Sequence, residues 1–368
     1  MPDINKVVEI PINMGPAHPA THGVLRLRLK LEGEIVREVV PVIGYLHRGL
    51  EKLAESLTYP QFIPYTDRLD YAGSMLNNFG YVRGVEELLG TEVPERAEYL
   101  RVMTAELSRI ASHLVWLSAW ALDLGAMAPF FYCFREREEV LNIFEMLCGA
   151  RITFSYMRIG GVSKDMPEGF VERLQNFLDI FPEKLDEYET ILTENEILLA
   201  RTVGIGILKK NDAIDYGVTG PIARASGLDY DIRKIEPYSV YDKFDFKIPV
   251  ETGCDVYARY LIRLEEMKQS MHIVRQALDG IPEGDIMAKV PKKIKPEPNR
   301  VYTRVEGSKG ELGFLIISDG SDKPYRLKVR SPAYSNLAAL PLMCENAMIA
   351  DVVATVGSTD ICLGEMDR

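Results

Sequence analysis

The stretch PERAEYLRVMTAELSRIASHLVWLSAWALDL, Pro94 to Leu124, decides the fold. Proline at its start, Glu95 and Glu98 in the first turn and Gly125 just past its end mark one uninterrupted helix. At about 1.5 Å per residue it would run roughly 45 Å. Helical patterns at Leu46–Ser56, Arg68–Leu89, Arg135–Ile159, Glu168–Phe181, Glu183–Leu199 and Asp255–Leu278 supply neighbours, and such lengths predict a bundle as the core. The apolar run from Leu114 to Phe134 contains one charge, Asp123. Its length would pass for a membrane span, but Gly125 and Pro129 interrupt it and a central carboxylate is costly in lipid. The expectation is a deeply buried helix end.

Both chain ends read as β structure. Lys6 to Met14 is a short strand, and Val24 to Glu32 alternates, with Leu25, Leu27, Leu29 and Leu31 on one face and Arg26, Arg28 and Lys30 on the other. Glu32-Gly33-Glu34 turns into Ile35 to Val42, making an antiparallel hairpin. Near the other end, Tyr302–Glu306, Gly313–Ser318 and Tyr325–Val329 read as strands, followed by a helix around Cys344–Thr355 and a tail to Arg368. The class is therefore α+β, with a large helical bundle core and antiparallel β structure from both ends. The expected organisation is an N-terminal β region over 1–60, a helical core over 61–281, a proline-rich linker over 282–300, and a C-terminal β region and tail over 301–368.

Composition narrows the function. The net charge of −11 over 368 residues argues against a phosphate-backbone partner. The five cysteines lie far apart with no CxxC pair, so neither a disulfide framework nor a self-contained metal or iron–sulfur site is readable. The first residues lack the apolar core of a signal peptide. There is no GxGxxG after a strand, no GxxxxGK[ST], no HExxH and no GxSxG.

Five groups of residues could carry chemistry. In Gly15-Pro-Ala-His-Pro-Ala-Thr-His-Gly23, prolines and glycines put His18 and His22 on a loop. Pro19 breaks the helix that would align them on a metal, leaving a satisfied loop histidine or a titrating one as alternatives. Asp123, flanked by Trp116, Trp120, Phe130 and Phe131, needs a partner if buried; His22 is one candidate, and a capping role beside Gly125 is the plain alternative. Pro64-Tyr-Thr-Asp-Arg-Leu-Asp-Tyr71 offers Tyr71 as a phenolic donor or as half-buried packing. Tyr45-Leu-His-Arg-Gly49 offers Arg48, a fixed positive charge that tunes a redox centre or pairs with an acid. Asp360-Ile-Cys-Leu-Gly-Glu-Met-Asp-Arg368 places Cys362 in a polar, potentially ligating context.

Taken in order, these motifs resemble the D-subunit family of NADH–quinone oxidoreductase, respiratory complex I. Ala121-Leu-Asp-Leu-Gly-Ala126, Arg135-Glu-Arg-Glu138, Gly149-Ala-Arg151, Ile159-Gly-Gly-Val162, Arg233-Lys-Ile-Glu-Pro-Tyr238 and Ser318-Asp-Gly-Ser321 extend the likeness from Gly15 to Arg368. The family is similar to the large subunit of nickel–iron hydrogenases, in which RxCGxC and DPCxxCxxH supply four cysteine ligands. Here Asp70 and Gly73 stand at the first two ligand positions, Cys362 is kept and Glu365 replaces the fourth. One thiol of four cannot hold a soft-ligand bimetal site, so the expectation is no metal on this chain, and a hydrogenase-like large subunit is the runner-up.

The resemblance implies a quinone cavity walled by His22, Tyr71, His18 and Asp123, with Tyr71 and His22 bonding the head group and Asp123 pairing with His22. Reducing a quinone needs protons at its carbonyl oxygens, which a phenol and an imidazolium can deliver and a buried carboxylate can help restore. Electrons would arrive from a [4Fe–4S] cluster on the adjacent B subunit of the complex, with Arg48 and Arg68 near that cluster and NAD(H) bound elsewhere. The implied partners are the B and C subunits, the membrane-embedded H and A subunits, and the I subunit, with the chain peripheral on the cytoplasmic side of the cell membrane. The same module fed by a deazaflavin or ferredoxin donor is a further alternative. Many relatives carry a histidine where this chain has Thr153, which puts a pH-linked effect on the cluster in doubt. A lower cluster potential and a quinone such as menaquinone follow as the expectation.

Overall fold

The computed structural model describes residues 9–17, 21 and 23–368. An antiparallel sheet is built from β1 (Glu9–Met14), β2 (Arg26–Glu32) and β3 (Ile35–Val42) in that order. Leu25, Leu27, Leu29 and Leu31 are all buried while Arg28 and Lys30 face solvent, as the alternation requires. Residues 6–8 of the expected first strand lie outside the described residues.

Two short helices, α1 (Leu50–Ala54) and α2 (Tyr59–Thr66), precede α3 (Ser74–Leu89). The sequence pattern starts this last helix at Arg68, but residues 68–73 are irregular. The Asp70 carboxylate accepts from Ala72 N–H at 3.3 Å, and its carbonyl accepts from Gly73 N–H and from Asn77 Nδ2. This local side-chain bonding competes with the helix ladder and delays the start.

The central helix α4 runs from Glu95 to Asp123, as its punctuation predicts, and is buried on nearly all sides. α5 (Met127–Cys148) follows after a short turn. It begins earlier than expected, because Pro129 occupies the first turn, where the missing N–H would have had no helical acceptor. It also ends earlier, at Gly149, which adopts φ 76°. The expectation of a deeply buried helix end is corrected here: Trp116 and Trp120 are buried, but Leu122, Met127, Phe131 and Phe134 are exposed. Among the described residues no helix is long and apolar enough to cross a membrane.

β4 (Met157–Arg158) and β5 (Gly161–Val162) form a small hairpin ahead of α6 (Phe170–Leu192). The sequence pattern splits this last helix at Pro182, yet the chain continues through it. Leu174, Leu178, Phe181, Leu185 and Tyr188 keep one buried stripe on both sides of the proline, and that packing overrides its local cost of about 3 kcal/mol. Short helices α7 (Glu196–Thr202), α8 (Lys210–Asp215), α9 (Pro221–Ala225) and α10 (Ile232–Ile235) lead to α11 (Val256–Gly280), which packs along α4.

The second three-stranded antiparallel sheet comprises β6 (Asn299–Gly307), β7 (Gly310–Ser318) and β8 (Arg326–Arg330). It lies against α3, where Phe314 packs on Gly80 and Ile316 on Gly84. The chain closes with α12 (Pro332–Ala338), α13 (Leu340–Cys344), α14 (Ile349–Ser358) and α15 (Leu363–Asp367). The structure is thus α+β, a helical core with antiparallel sheets contributed by both ends.

Candidate functional site

Two segments distant in sequence meet at the irregular stretch 68–73, and a third rests on one of them. The first is the C-terminal tail. Cys362 Sγ lies 3.4 Å from the Leu69 carbonyl, and a Cβ on Gly364 would fall 2.8 Å from that same oxygen, so the tail lies directly on the stretch. Asp367 then accepts from Gly44 N–H at 2.9 Å and Leu46 N–H at 2.8 Å, and its carbonyl is 2.7 Å from His47 Nδ1. The motif at Tyr45–Gly49 is thereby docked on the tail. Arg48 Nη2 donates to the Arg68 carbonyl at 3.0 Å, which brings together the two arginines singled out in the sequence. Both are exposed, and among the described residues neither forms an ion pair.

The second is the tip of the β6–β7 hairpin, Ser308-Lys309. Lys309 is only 4% exposed. Its Nζ lies 3.0 Å from Asp70 Oδ2, 3.2 Å from Ser112 Oγ of α4 and 3.5 Å from Asp360 Oδ2; Ser308 Oγ donates to the same Asp70 oxygen at 3.0 Å. Burial opposes charge on this lysine, but Asp360 and Asp70 more than offset it and push the ammonium above its ordinary range. Asp360 is pushed up, chiefly by burial, against the pull of Lys309 and of Arg263, whose Nε stands 4.0 Å away. Glu365 is buried and held by the Ser331 hydroxyl at 2.7 Å; burial first, then Asp70, push it up to about 7.

Tyr71 sits at the edge of this cluster, 54% exposed as a residue while its neighbour Asp70 is buried. Its phenol is pushed up to about 12 by Cys362, by burial and by Asp70 and Asp360, with Lys309 pulling the other way. It therefore holds its proton at neutral pH and is a donor.

The third segment is the loop 15–23. The buried Thr21 hydroxyl donates to the Leu25 carbonyl at 2.6 Å, and a Cβ on Gly23 would meet Leu363 at 3.3 Å, so the loop's end also rests on the tail. His18 and His22 lie outside the described residues. Asp123 closes α4 in a half-buried position, one turn beyond Trp120. Trp120 packs against Gly357, and Trp116 Nε1 donates to the Gly357 carbonyl at 2.8 Å, just before the tail begins. Thr153 adopts φ 53° in a segment tied down two residues later, where Ser155 N–H donates to Asp67 at 3.1 Å.

Among the described residues no group of three or more His, Cys, Asp or Glu side chains could hold a metal ion. Sequence reading missed Lys309 altogether and saw Asp360 only as part of the tail motif. The lysine gave no signal, since a Ser-Lys pair between Gly307 and Gly310 reads as a solvated hairpin turn.

The fold and this site define an α+β protein in which a buried ammonium and buried carboxylates lie beside an exposed phenol, where the C-terminal tail meets the 68–73 stretch. The family described as respiratory-chain NADH dehydrogenase, 49 kDa subunit, matches residues 123–302 and 290–368. A Desulforamulus reducens protein, called the D subunit of NADH-quinone oxidoreductase, is 55% identical over 98% of this chain and 99% of the relative. Proteins of the same name from Geotalea uraniireducens (52% identical, 97% of this chain, 98% of the relative) and Clostridium beijerinckii (53%, 98% and 97%) are similar over the same extent. The chain belongs to the family of the 49 kDa subunit of respiratory-chain NADH dehydrogenase, known in bacteria as the D subunit of NADH-quinone oxidoreductase.

Proposed function

We propose that this chain walls the quinone-reduction site of a proton-translocating NADH–quinone oxidoreductase, sharing that site with the [4Fe–4S]-carrying B subunit and having no activity alone. The observation that carries the reading is Tyr71, a protonated phenol with an exposed edge, held at the junction of the 68–73 stretch and the C-terminal tail. In this reading Tyr71 and His22 hydrogen-bond the head group, Asp123 pairs with His22, and His18 shapes the loop. Arg48 and Arg68, exposed side by side, face the partner's cluster and favour its reduced form. The C, H, A and I subunits complete the partner set. The exposed apolar face of Leu122, Met127, Phe131 and Phe134 suits docking on a membrane-arm partner at the cytoplasmic side.

Lys309 disfavours the hydrogenase-like alternative, because a divalent cation beside Asp70 would sit against a buried ammonium. Bound nickel in the purified chain would reverse that judgement. For the quinone site, Tyr71→Phe and Asp123→Asn should lower quinone reduction by the assembled complex while sparing NADH oxidation by ferricyanide. Full quinone turnover in both variants would overturn the assignment.

A further inference from the structure

We propose that Lys309 is a positioning residue of the quinone site, a fixed buried cation that neutralises the paired carboxylates of Asp70 and Asp360 behind Tyr71. The inference rests on the quinone-site reading above.

Two acids lie within 3.5 Å of one ammonium, in a space closed by the hairpin tip, α4 and the tail. Asp360 Oδ2 is buried with no hydrogen-bond partner among the described residues, so its charge is answered only by Lys309 and, at 4.0 Å, by Arg263 of α11. The remaining groups facing the ammonium are Ser308 on its own turn, Ser112 and His113 on α4, Cys362 and Glu365 on the tail, and Tyr71. His113 is occupied by Glu266 at 2.8 Å and burial pushes its imidazole down, which leaves Arg263 as the second fixed cation near Asp360.

The lysine is placed by construction. Its turn is anchored by Asn336 Nδ2, which donates to the Lys309 carbonyl at 3.0 Å, and by Arg109, which donates to the carbonyls of Glu306 and Gly307 at 2.7 Å each. Gly310 adopts φ 131°, and a Cβ there would fall 2.5 Å from Thr219 Oγ1, so the turn seats directly on its neighbour.

The consequence concerns charge at the moment of reduction. With the cation present, the Asp360 carboxylate has a direct counter-charge at 3.5 Å behind Tyr71. Without it, Asp360 keeps only Arg263, at 4.0 Å, and its carboxyl, already pushed up by burial, holds its proton to still higher pH. That proton leaves as pH rises, and uncompensated negative charge then accumulates behind the phenol and opposes adding electrons to the quinone. Lys309 also pulls the Glu365 carboxyl down, so in its absence Glu365 ionises at higher pH, and the double variant is what assigns the slope to the Lys309–Asp360 pair.

The test uses the assembled complex with decylubiquinone and a short-chain menaquinone, between pH 6 and pH 8.5. Lys309→Met should cut quinone turnover at least about tenfold at the alkaline end, with the deficit shrinking toward pH 6, while NADH–ferricyanide activity is retained. Lys309→Arg, which keeps the charge, should keep the wild-type profile. The charge-balanced double variant Lys309→Met/Asp360→Asn should recover activity relative to the single one and lose its pH slope. If Lys309→Met does not assemble, an assembled, active double variant with a wild-type profile supports the inference, and an assembled but inactive one overturns it. A pH-independent deficit, or none, makes the lysine a structural residue and overturns it as well. Tyr71→Phe run in parallel separates the two levels: normal quinone turnover there removes the site and the inference together, whereas a loss there with a flat Lys309→Met ratio removes the inference alone.

Discussion

Glu365 offers a test of the buried cluster through stability. Its carboxyl is buried, accepts from the Ser331 hydroxyl at 2.7 Å, and is pushed from 4.5 up to about 7 by burial and by Asp70. A carboxyl whose folded-state pKa is raised binds more protons folded than unfolded. Its favourable contribution is complete below pH 4.5 and is lost as pH rises through about 7. At about 1.4 kcal/mol per pH unit, the span from 4.5 to about 7 corresponds to about 3 kcal/mol of stability surrendered above neutrality. Glu365→Gln keeps the acceptor for Ser331 and cannot ionise. Urea titrations of the full-length chain should therefore show a variant-minus-wild-type difference that climbs between pH 4.5 and pH 7 and levels off above, by roughly 2–3 kcal/mol. Any constant cost of the new amide shifts this curve vertically without changing its slope. A difference that stays flat with pH, or falls, would refute the claim that Glu365 is strained by ionisation.

Two further outcomes follow from local geometry. Gly310→Ala forces a Cβ onto Thr219 at a φ of 131°, and should cost roughly 2–5 kcal/mol in denaturation while lowering quinone turnover through displacement of Lys309. Thr153→His should be accommodated, since histidine is among the residues that tolerate the positive φ found there. Redox titration of the assembled complex should then show a partner-cluster potential that rises more steeply than in the wild type as pH falls through the imidazole range.

What the sequence made legible was periodic or punctuated. The β2 alternation named its buried face correctly, and the Pro94 and Gly125 boundaries framed α4 to within a residue or two. Local signals failed where a side chain or a distant surface took over. Asp70 bends 68–73 out of a helix that the apolar pattern favours, and the stripe through Leu178, Phe181 and Leu185 carries α6 across a proline that should have ended it. In the site, the 45–49, 64–71 and 360–368 segments lie against one another through contacts to backbone carbonyls that no motif spacing shows. Lys309 was invisible, because its burial depends on carboxylates hundreds of residues away in one direction and near the tail in the other.

The same long-range logic explains why so much charge is buried beneath the site. Arg224 joins Glu266 at 2.6 Å and Glu306 at 2.9 Å, and Arg233 joins Asp231 at 2.6 Å and Glu106 at 3.1 Å, all essentially sealed from solvent. Buried ion pairs are poor sources of net stability, because desolvation can exceed the attraction. Their position suggests a different role. Glu106 holds Arg109, and Arg109 in turn grips the two carbonyls that precede Ser308-Lys309. Glu266 links Arg224 to His113, which adjoins Ser112, itself bonded to Lys309. An apolar core of equal volume would leave the hairpin tip free to slide by an ångström, whereas directional bonds to specific carbonyl and carboxylate oxygens fix where the ammonium stands. The network is best understood as the scaffold of one buried cation, and that cation as what lets two acids sit behind a phenol.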